Sequence, residues 1–193
     1  MKVVGRFSFN GGEDFVKKHH SVLLAEVEAA IACVDAEMHK TKTSKEVTML
    51  GRLLYNPKSL NRAIRGFLFA RGWKNHRVAC QYSKAYYTPE YVAPAAASAR
   101  RTPDPYRDMD YVKDKLGVEV QFGKYAFMVY NVCAKMTIFR NLNIIDSGIE
   151  VVPVKMFTDE MSTGVSFFEQ IVWDLETRGA ADIDTPVLIL GIG

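Results

Sequence analysis

Asp110 and Glu119 stand nine positions apart, and the second acid opens Glu119-Val-Gln-Phe122 within a stretch, residues 117–122, that alternates polar and apolar side chains. A strand repeats every two residues, so Glu119 and Gln121 share one face while Val118, Val120 and Phe122 share the other. The spacing predicts a half-buried strand with one chemical face and one core face. Asp110-Tyr-Val112 can pair with it if Lys113-Asp-Lys115 makes the turn, which brings both carboxylates to one end of a hairpin. Two acids meeting at a strand end suit a hard divalent cation, and hydrolysis of a phosphodiester is chemistry that such a cation supports. The competing reading is an ordinary strand with acids on its solvent face. Asp108 and Asp114 are rival acids, with Asp114 falling in the predicted turn.

Other elements must position this pair. Val3, Val4, Phe7 and Phe9 predict a short first strand ended by Asn10-Gly-Gly12. Val22, Leu23, Val27, Ala30, Ile31 and Val34 recur at helical spacing and predict one long helix. A second helix is expected over about 57–70, with Pro57 in its first turn, a stripe of Leu60, Ile64, Phe67 and Leu68, and Gly72 to stop it. Residues 78–87 suit a strand, and 88–105, rich in Ala, Pro and Arg, a loop or short helix that could approach DNA. Helices are expected over 125–139 and 167–176, and strands over 148–154 and 187–192. Strands alternating with helices predict an α/β domain with a central mixed sheet flanked by helices.

The 193 residues, 48% hydrophobic, can bury one sizeable core, so 1–193 is read as a single domain. There is no run of eighteen apolar residues and no signal peptide, which predicts a cytoplasmic protein without a membrane partner. Cys33, Cys80 and Cys133 are odd in number and widely spaced, so they are read as small core residues rather than a disulfide framework. The four histidines have no zinc-finger spacing. A net charge of +3 is modest, but Lys40, Lys42, Lys45, Lys58, Arg62, Arg65, Arg71, Lys74 and Arg77 recur along the chain, and cations so placed can neutralise phosphates. Each can equally be an ordinary solvated charge.

Asp110-Tyr-Val-Lys-Asp114 followed by Val118-Glu-Val-Gln-Phe-Gly-Lys-Tyr125 resembles the catalytic segment of the type II restriction endonucleases of the BstYI and BglII kind, members of the PD-(D/E)XK superfamily in which glutamine replaces the usual lysine. The resemblance is closer to BstYI. It extends through Ile31-Ala-Cys-Val-Asp-Ala-Glu37, Thr41-Lys-Thr-Ser-Lys-Glu46, Leu54-Tyr-Asn-Pro57, Gly72-Trp-Lys74, Gly148-Ile-Glu-Val-Val-Pro153, Glu160-Met-Ser-Thr-Gly-Val-Ser166 and Pro186-Val-Leu-Ile-Leu-Gly-Ile192.

The resemblance implies a restriction-endonuclease-like fold and a Mg2+-dependent site-specific deoxyribonuclease. It implies Asp110, Glu119 and the Val120 main-chain carbonyl as metal ligands, with Asp110, Glu119 and Gln121 as the catalytic set. An amide is neither a cation nor a useful general base, so Gln121 is expected to hold the attacking water. Lys124 and Ser162-Thr-Gly164, with Ser166 a weaker candidate, match the family's base-reading positions; Ser162 or Thr163 capping the following helix is the structural alternative. The implied target is duplex DNA with a GATC-core palindrome, R^GATCY, cut to leave four-base 5′ overhangs by a homodimer whose two-fold axis matches the site. A companion DNA methyltransferase is expected in the host. The alternatives are a structure-directed or repair nuclease of the same fold and a sequence-specific DNA-binding protein that has lost catalysis at Gln121.

Overall fold

The computed structural model describes residues 1–81, 83, 85–90, 105–179 and 183–193. Most of the loop read at 88–105, including Arg100 and Arg101, lies outside them. Six strands form one sheet in the order β1-β8-β7-β6-β5-β4: β1 (Val3–Phe9), β4 (Lys74–Ala79), β5 (Tyr106–Lys113), β6 (Leu116–Val120), β7 (Ser147–Pro153) and β8 (Val187–Ile192). The β6–β7 and β7–β8 pairs are parallel, and β1–β8, β5–β6 and β4–β5 antiparallel. The sheet is therefore mixed, as the alternation of elements predicts. A separate two-stranded ribbon joins β2 (Lys42–Thr43) to β3 (Leu53–Leu54).

Helices cover both faces. On one, α2 (Ser21–Ala32) and α3 (Pro57–Phe69) lay Leu24, Val27, Ile31, Leu60, Ile64 and Leu68 against Val118, Val120, Val151 and Leu190. On the other, Met128, Val132, Met136 and Phe139 join Ile171 and Leu175 of α7 (Phe168–Arg178), which follows the single-turn α6 (Lys155–Thr158), against Val152, Val187 and Ile189. Between two helical layers no central strand meets water, so β6, β7 and β8 are buried on both faces. The half-buried reading of β6 is corrected on that ground: the face of Glu119 is covered as fully as the face of Val118.

Three further expectations change. The long helix after Gly12 is two, α1 (Gly12–His19) and α2, broken at His20, whose backbone leaves the helical region (φ −133°, ψ 32°); Val22 lies outside the apolar stripe at 71% exposed. The strand expected over 78–87 runs earlier, as β4, because its partner β5 reaches only from Tyr106 to Lys113. Two of the cysteines are not core, Cys33 being exposed and Cys80 half-buried, while Cys133, half-buried, packs against the cluster under Met136.

Pro57 opens α3 as expected, with the Asn56 side chain accepting from the Lys58 and Ser59 N–H groups, and Gly72 follows it at φ +84°. Where α1 passes over β8, a Cβ on Gly12 would lie 2.1–2.5 Å from the Val187 backbone. Backbone cannot give way as a side-chain tip can. Gly12→Ala should lower the unfolding free energy by about 3 kcal/mol, the upper end of overpacking costs, measured by denaturant titration; a loss under about 1 kcal/mol would show that the crossing tolerates a side chain.

Candidate active site

Asp114 and Lys115 form the β5–β6 turn with both residues at positive φ (44° and 69°), the twist that two-residue hairpin loops require. The turn aligns Tyr111 with Val118, so Asp110 faces Glu119 at the opposite end of the hairpin. Beyond that pair the ladder is replaced by side chains. The Asp110 N–H donates to Glu119 Oε1 (3.3 Å), and the Val120 N–H donates to Asp110 Oδ2 (3.1 Å). Each carboxylate thus satisfies the backbone of the other strand, which holds the two acids together.

On its outer side, β5 carries a bulge. His76 pairs with Met109 but Lys74 pairs with Val112, so Asn75 alone faces Asp110 and Tyr111. Met109 consequently packs with the cluster under Met136 while Tyr111 packs with the cluster under α3. A bulge re-aims the residue it carries, and here it releases Asp110 from strict alternation. The Asn75 amide donates to the freed Met109 carbonyl (2.9 Å). The rival acid Asp108 is taken up by Asn75 and by Arg77 (3.2 Å).

Glu150 of β7 lies level with Glu119 in the parallel ladder and is fully buried. Both acids lie under a continuous helical rod composed of α4 (Tyr125–Tyr130), a π-helical turn (Asn131–Lys135) and α5 (Met136–Asn141). The extra residue of a π turn shifts the following side chains, and such turns are frequent at functional sites. Here Asn131 Nδ2 donates to Glu150 Oε1 (3.3 Å), and Lys135 Nζ meets Glu119 Oε1 (2.6 Å) and the Asp108 carbonyl (3.0 Å). The helical spacing over 125–139 predicted the rod but not the π turn, so Asn131 and Lys135 carried no signal as site residues. Nor did Glu150, which reads as one polar residue in a buried strand.

Burial, with the Asp110 charge beside it, pushes Glu119 up to about 8 against the pull of Lys135. Burial also raises Asp110, partly offset by the Val120 N–H and Lys135. Glu150 is held well above the usual carboxylate range by burial and then by Glu119, and its Oε2 has no hydrogen-bond partner. A neutral acid is the form this surrounding favours. Glu150→Gln keeps the shape, the neutrality and the acceptor for Asn131, so its Tm at pH 6 should fall within ~2 °C of wild type. A fall of more than about 1 kcal/mol, some 2–4 °C for a domain of this size, would show that Glu150 carries a charge the fold needs.

Among the described residues one cleft borders the acid pair at Asp110 and another opens at the 161–165 segment. One, of about 350 Å³, is lined by Lys58, Asn61, Arg62 and Arg65 of α3 together with Asp110 and Tyr111. Its three cations rise from one helix face beside Asp110, and Asn61 Oδ1 is buried there without a partner. The other, of about 370 Å³, is lined by Met49, Tyr125, Lys155 and residues 161–165, among others.

The expected base-reading segments, about forty residues apart in sequence, are brought together: Lys124 bridges Val165 in antiparallel fashion, and both Ser166 N–H and Oγ donate to the Gly123 carbonyl (3.0 Å each). Lys124, Thr163 and Gly164 are exposed. Ser166 is buried and ties the two segments together. Neither Ser162 nor Thr163 caps α7, which starts at Phe168 without a side-chain cap. Instead, Thr163 donates through N–H and Oγ1 to Glu46 (3.0 and 2.9 Å), and Ser162 receives Lys42. Those partners lie more than a hundred positions away, and no local pattern reports them. Gln121 follows β6 with its amide donating to the Lys124 carbonyl (3.2 Å).

A carboxylate pair carried on such a hairpin, within a mixed sheet closed by helices on both faces, belongs to the nucleases of restriction-endonuclease fold. The profile of the family described as restriction endonuclease BglII/BglIII matches residues 4–192, and this chain belongs to that family. Its fold is similar to that of restriction endonuclease BglII complexed with a DNA 16-mer, at 21% identity and a TM-score of 0.71 over 99% of this chain and 76% of that one. It is similar also to free BglII, at 19% identity and a TM-score of 0.66 over 100% of this chain and 80% of that one. No curated protein sequence matches the chain.

Proposed function

We propose that this protein is a Mg2+-dependent type II restriction endonuclease that cuts duplex DNA at a GATC-core palindrome, R^GATCY, leaving four-base 5′ overhangs. The observation that carries the catalytic part is the interlocked pair Asp110 and Glu119, the acids of the family's catalytic segment, held face to face where the β5–β6 ladder gives way to side chains.

Among the described residues no three acids, histidines or cysteines group as a metal cage. Two carboxylates and a main-chain carbonyl are nevertheless a hard oxygen set of the kind Mg2+ uses, since it keeps several waters and takes one or two protein carboxylates. Asp110, Glu119 and the Val120 carbonyl would hold it. When bound there, the ion supplies an acidified water and positive charge at the crowded phosphate.

The chain's own residues do the rest. Gln121 orients the attacking water by hydrogen bonding, having no charge to offer. The cations of α3, on the Asp110 side of the site, neutralise flanking phosphates, while Lys124 and the 162–164 loop present donors and acceptors to base edges in the major groove. Attack by water in line with the leaving 3′ oxygen leaves a 5′ phosphate. A palindromic site calls for a symmetric homodimer presenting one such site to each strand; the whole chain acts as one nuclease domain in the cytoplasm, and a companion methyltransferase protects the host's own sites. The outer purine–pyrimidine pair rests on the closer resemblance to BstYI.

Incubating the purified protein with unmethylated plasmid, with Mg2+ or with chelator, and sequencing the fragment ends tests this reading. Discrete Mg2+-dependent ends at R^GATCY support it. Cutting at only one outer pair removes the relaxed site, and cutting without sequence preference removes the restriction reading in favour of a structure-directed nuclease.

A further inference from the structure

Lys135 is a lysine with 8% of its surface exposed, paired with a glutamate that is 4% exposed. Keeping an ammonium out of water, and the carboxylate with it once that is ionised, costs several kcal/mol per ion, and a well-packed apolar pair of the same volume is often the more stable arrangement. Stability alone therefore gives no reason for this lysine. Its placement depends on the π turn, a second local departure from regular structure, and the turn directs both its end residues, Asn131 and Lys135, at the acids of the sheet.

Chemistry supplies the reason. Position 121 holds an amide, and that amide is turned to the Lys124 carbonyl. The positive charge at the acid pair comes instead from the helix. Lys135 and the Asp110 N–H both contact Glu119 Oε1, so the ammonium and the backbone grip one oxygen of this carboxylate, and the remaining neighbour within hydrogen-bond reach is the Asp110 carboxyl, the other proposed ligand. The Asp108 carbonyl takes a second ammonium proton and fixes the lysine against the bulged strand that carries Asp110.

We propose that Lys135 is a positioning residue for the nuclease site: from the π turn, its ammonium holds Glu119 by Oε1 and offsets the charge of the Asp110–Glu119 pair, so that the carboxylate is presented to a divalent cation. This rests on the nuclease reading given above. Groups that orient a metal-ligating carboxylate commonly change affinity 10–100-fold when removed. The lysine acts through Glu119, so the two residues should be coupled.

The test is Mn2+ binding to the full chain without DNA, followed by the paramagnetic resonance of the free ion, for wild type, Lys135→Met, Glu119→Gln and the double variant. Lys135→Met should weaken binding roughly 10–100-fold and should change it less than about twofold once Glu119 is already Gln, a non-additivity that a general structural defect would not produce. Melting curves identify any variant that fails to fold. If Lys135→Met fails, Lys135→Gln, which keeps an N–H donor, takes its place and should fall between wild type and the Glu119 variant. Unchanged or tighter Mn2+ binding in the lysine variant, or additive losses in the double variant, would overturn the proposal. Wild-type binding that Glu119→Gln leaves unaltered would instead strike the ligand assignment on which the nuclease reading stands.

Discussion

Glu119→Gln should reduce Mg2+-dependent single-turnover cleavage by about 10³-fold or more while leaving chelator-phase DNA affinity within a few-fold of wild type. An ion at such a site contributes several kcal/mol of transition-state stabilisation, and each 1.36 kcal/mol is a decade of rate. The amide keeps the volume of the side chain and can still accept the Asp110 N–H, but it removes the anionic ligand. Gln121→Ala provides a graded comparison. An uncharged group that only orients water should cost less, on the order of 10-fold to 100-fold, at the lower end of general positioning effects. Equal losses for the two variants would mean that position 121 does more than orient water. Full turnover in Gln121→Ala would remove it from the mechanism, and full turnover in Glu119→Gln would remove the acid pair itself.

The second large effect is on pH. In the metal-free protein Glu119 is pushed up to about 8, and Asp110 and Glu150 are raised as well. In the unfolded chain these carboxyls titrate near 4. Between those limits the native state holds a proton that the unfolded state has released, so stability falls as pH rises. The stabilisation is fully present below about pH 4 and lost by about pH 8. One proton over that window is worth roughly 3–5 kcal/mol, or on the order of 10 °C in Tm for a domain of this size.

Calorimetry in chelator should therefore show a Tm that declines from pH 5 to pH 8. Glu119→Gln should flatten part of that decline. Because a cation must displace the proton, apparent metal affinity should rise about tenfold per pH unit below 8 and then level off. A metal-free Tm that is constant or rising over this interval would show that the acids are already ionised.

The pair Asp110 and Glu119, the turn at Asp114, the helix from Pro57 and the buried β7 and β8 were legible because each is written in a local period or a turn residue. A period of two places Glu119 on a face, and a turn at Asp114 returns the chain to Asp110, though the loop is the two residues Asp114 and Lys115 and Lys113 stays in the strand, paired with Leu116. The cysteines, the break at His20 and the true extent of β4 were not, because burial, helix continuity and strand length depend on what packs opposite.

The sequence by itself determined the chemistry available: which acids face one another, the amide at 121, the lysine at 124, and membership of a nuclease lineage through motifs spread along the chain. Only the tertiary structure decided how that chemistry is supported. Glu119 lies buried beside Glu150 because parallel pairing aligns β6 with β7, and Lys135 meets Glu119 because a π turn redirects one helix face. Glu46 takes Thr163 across 117 positions of chain. Such contacts are set by sheet order and helix packing, which join residues whose separation along the chain bears no period that a sequence can display.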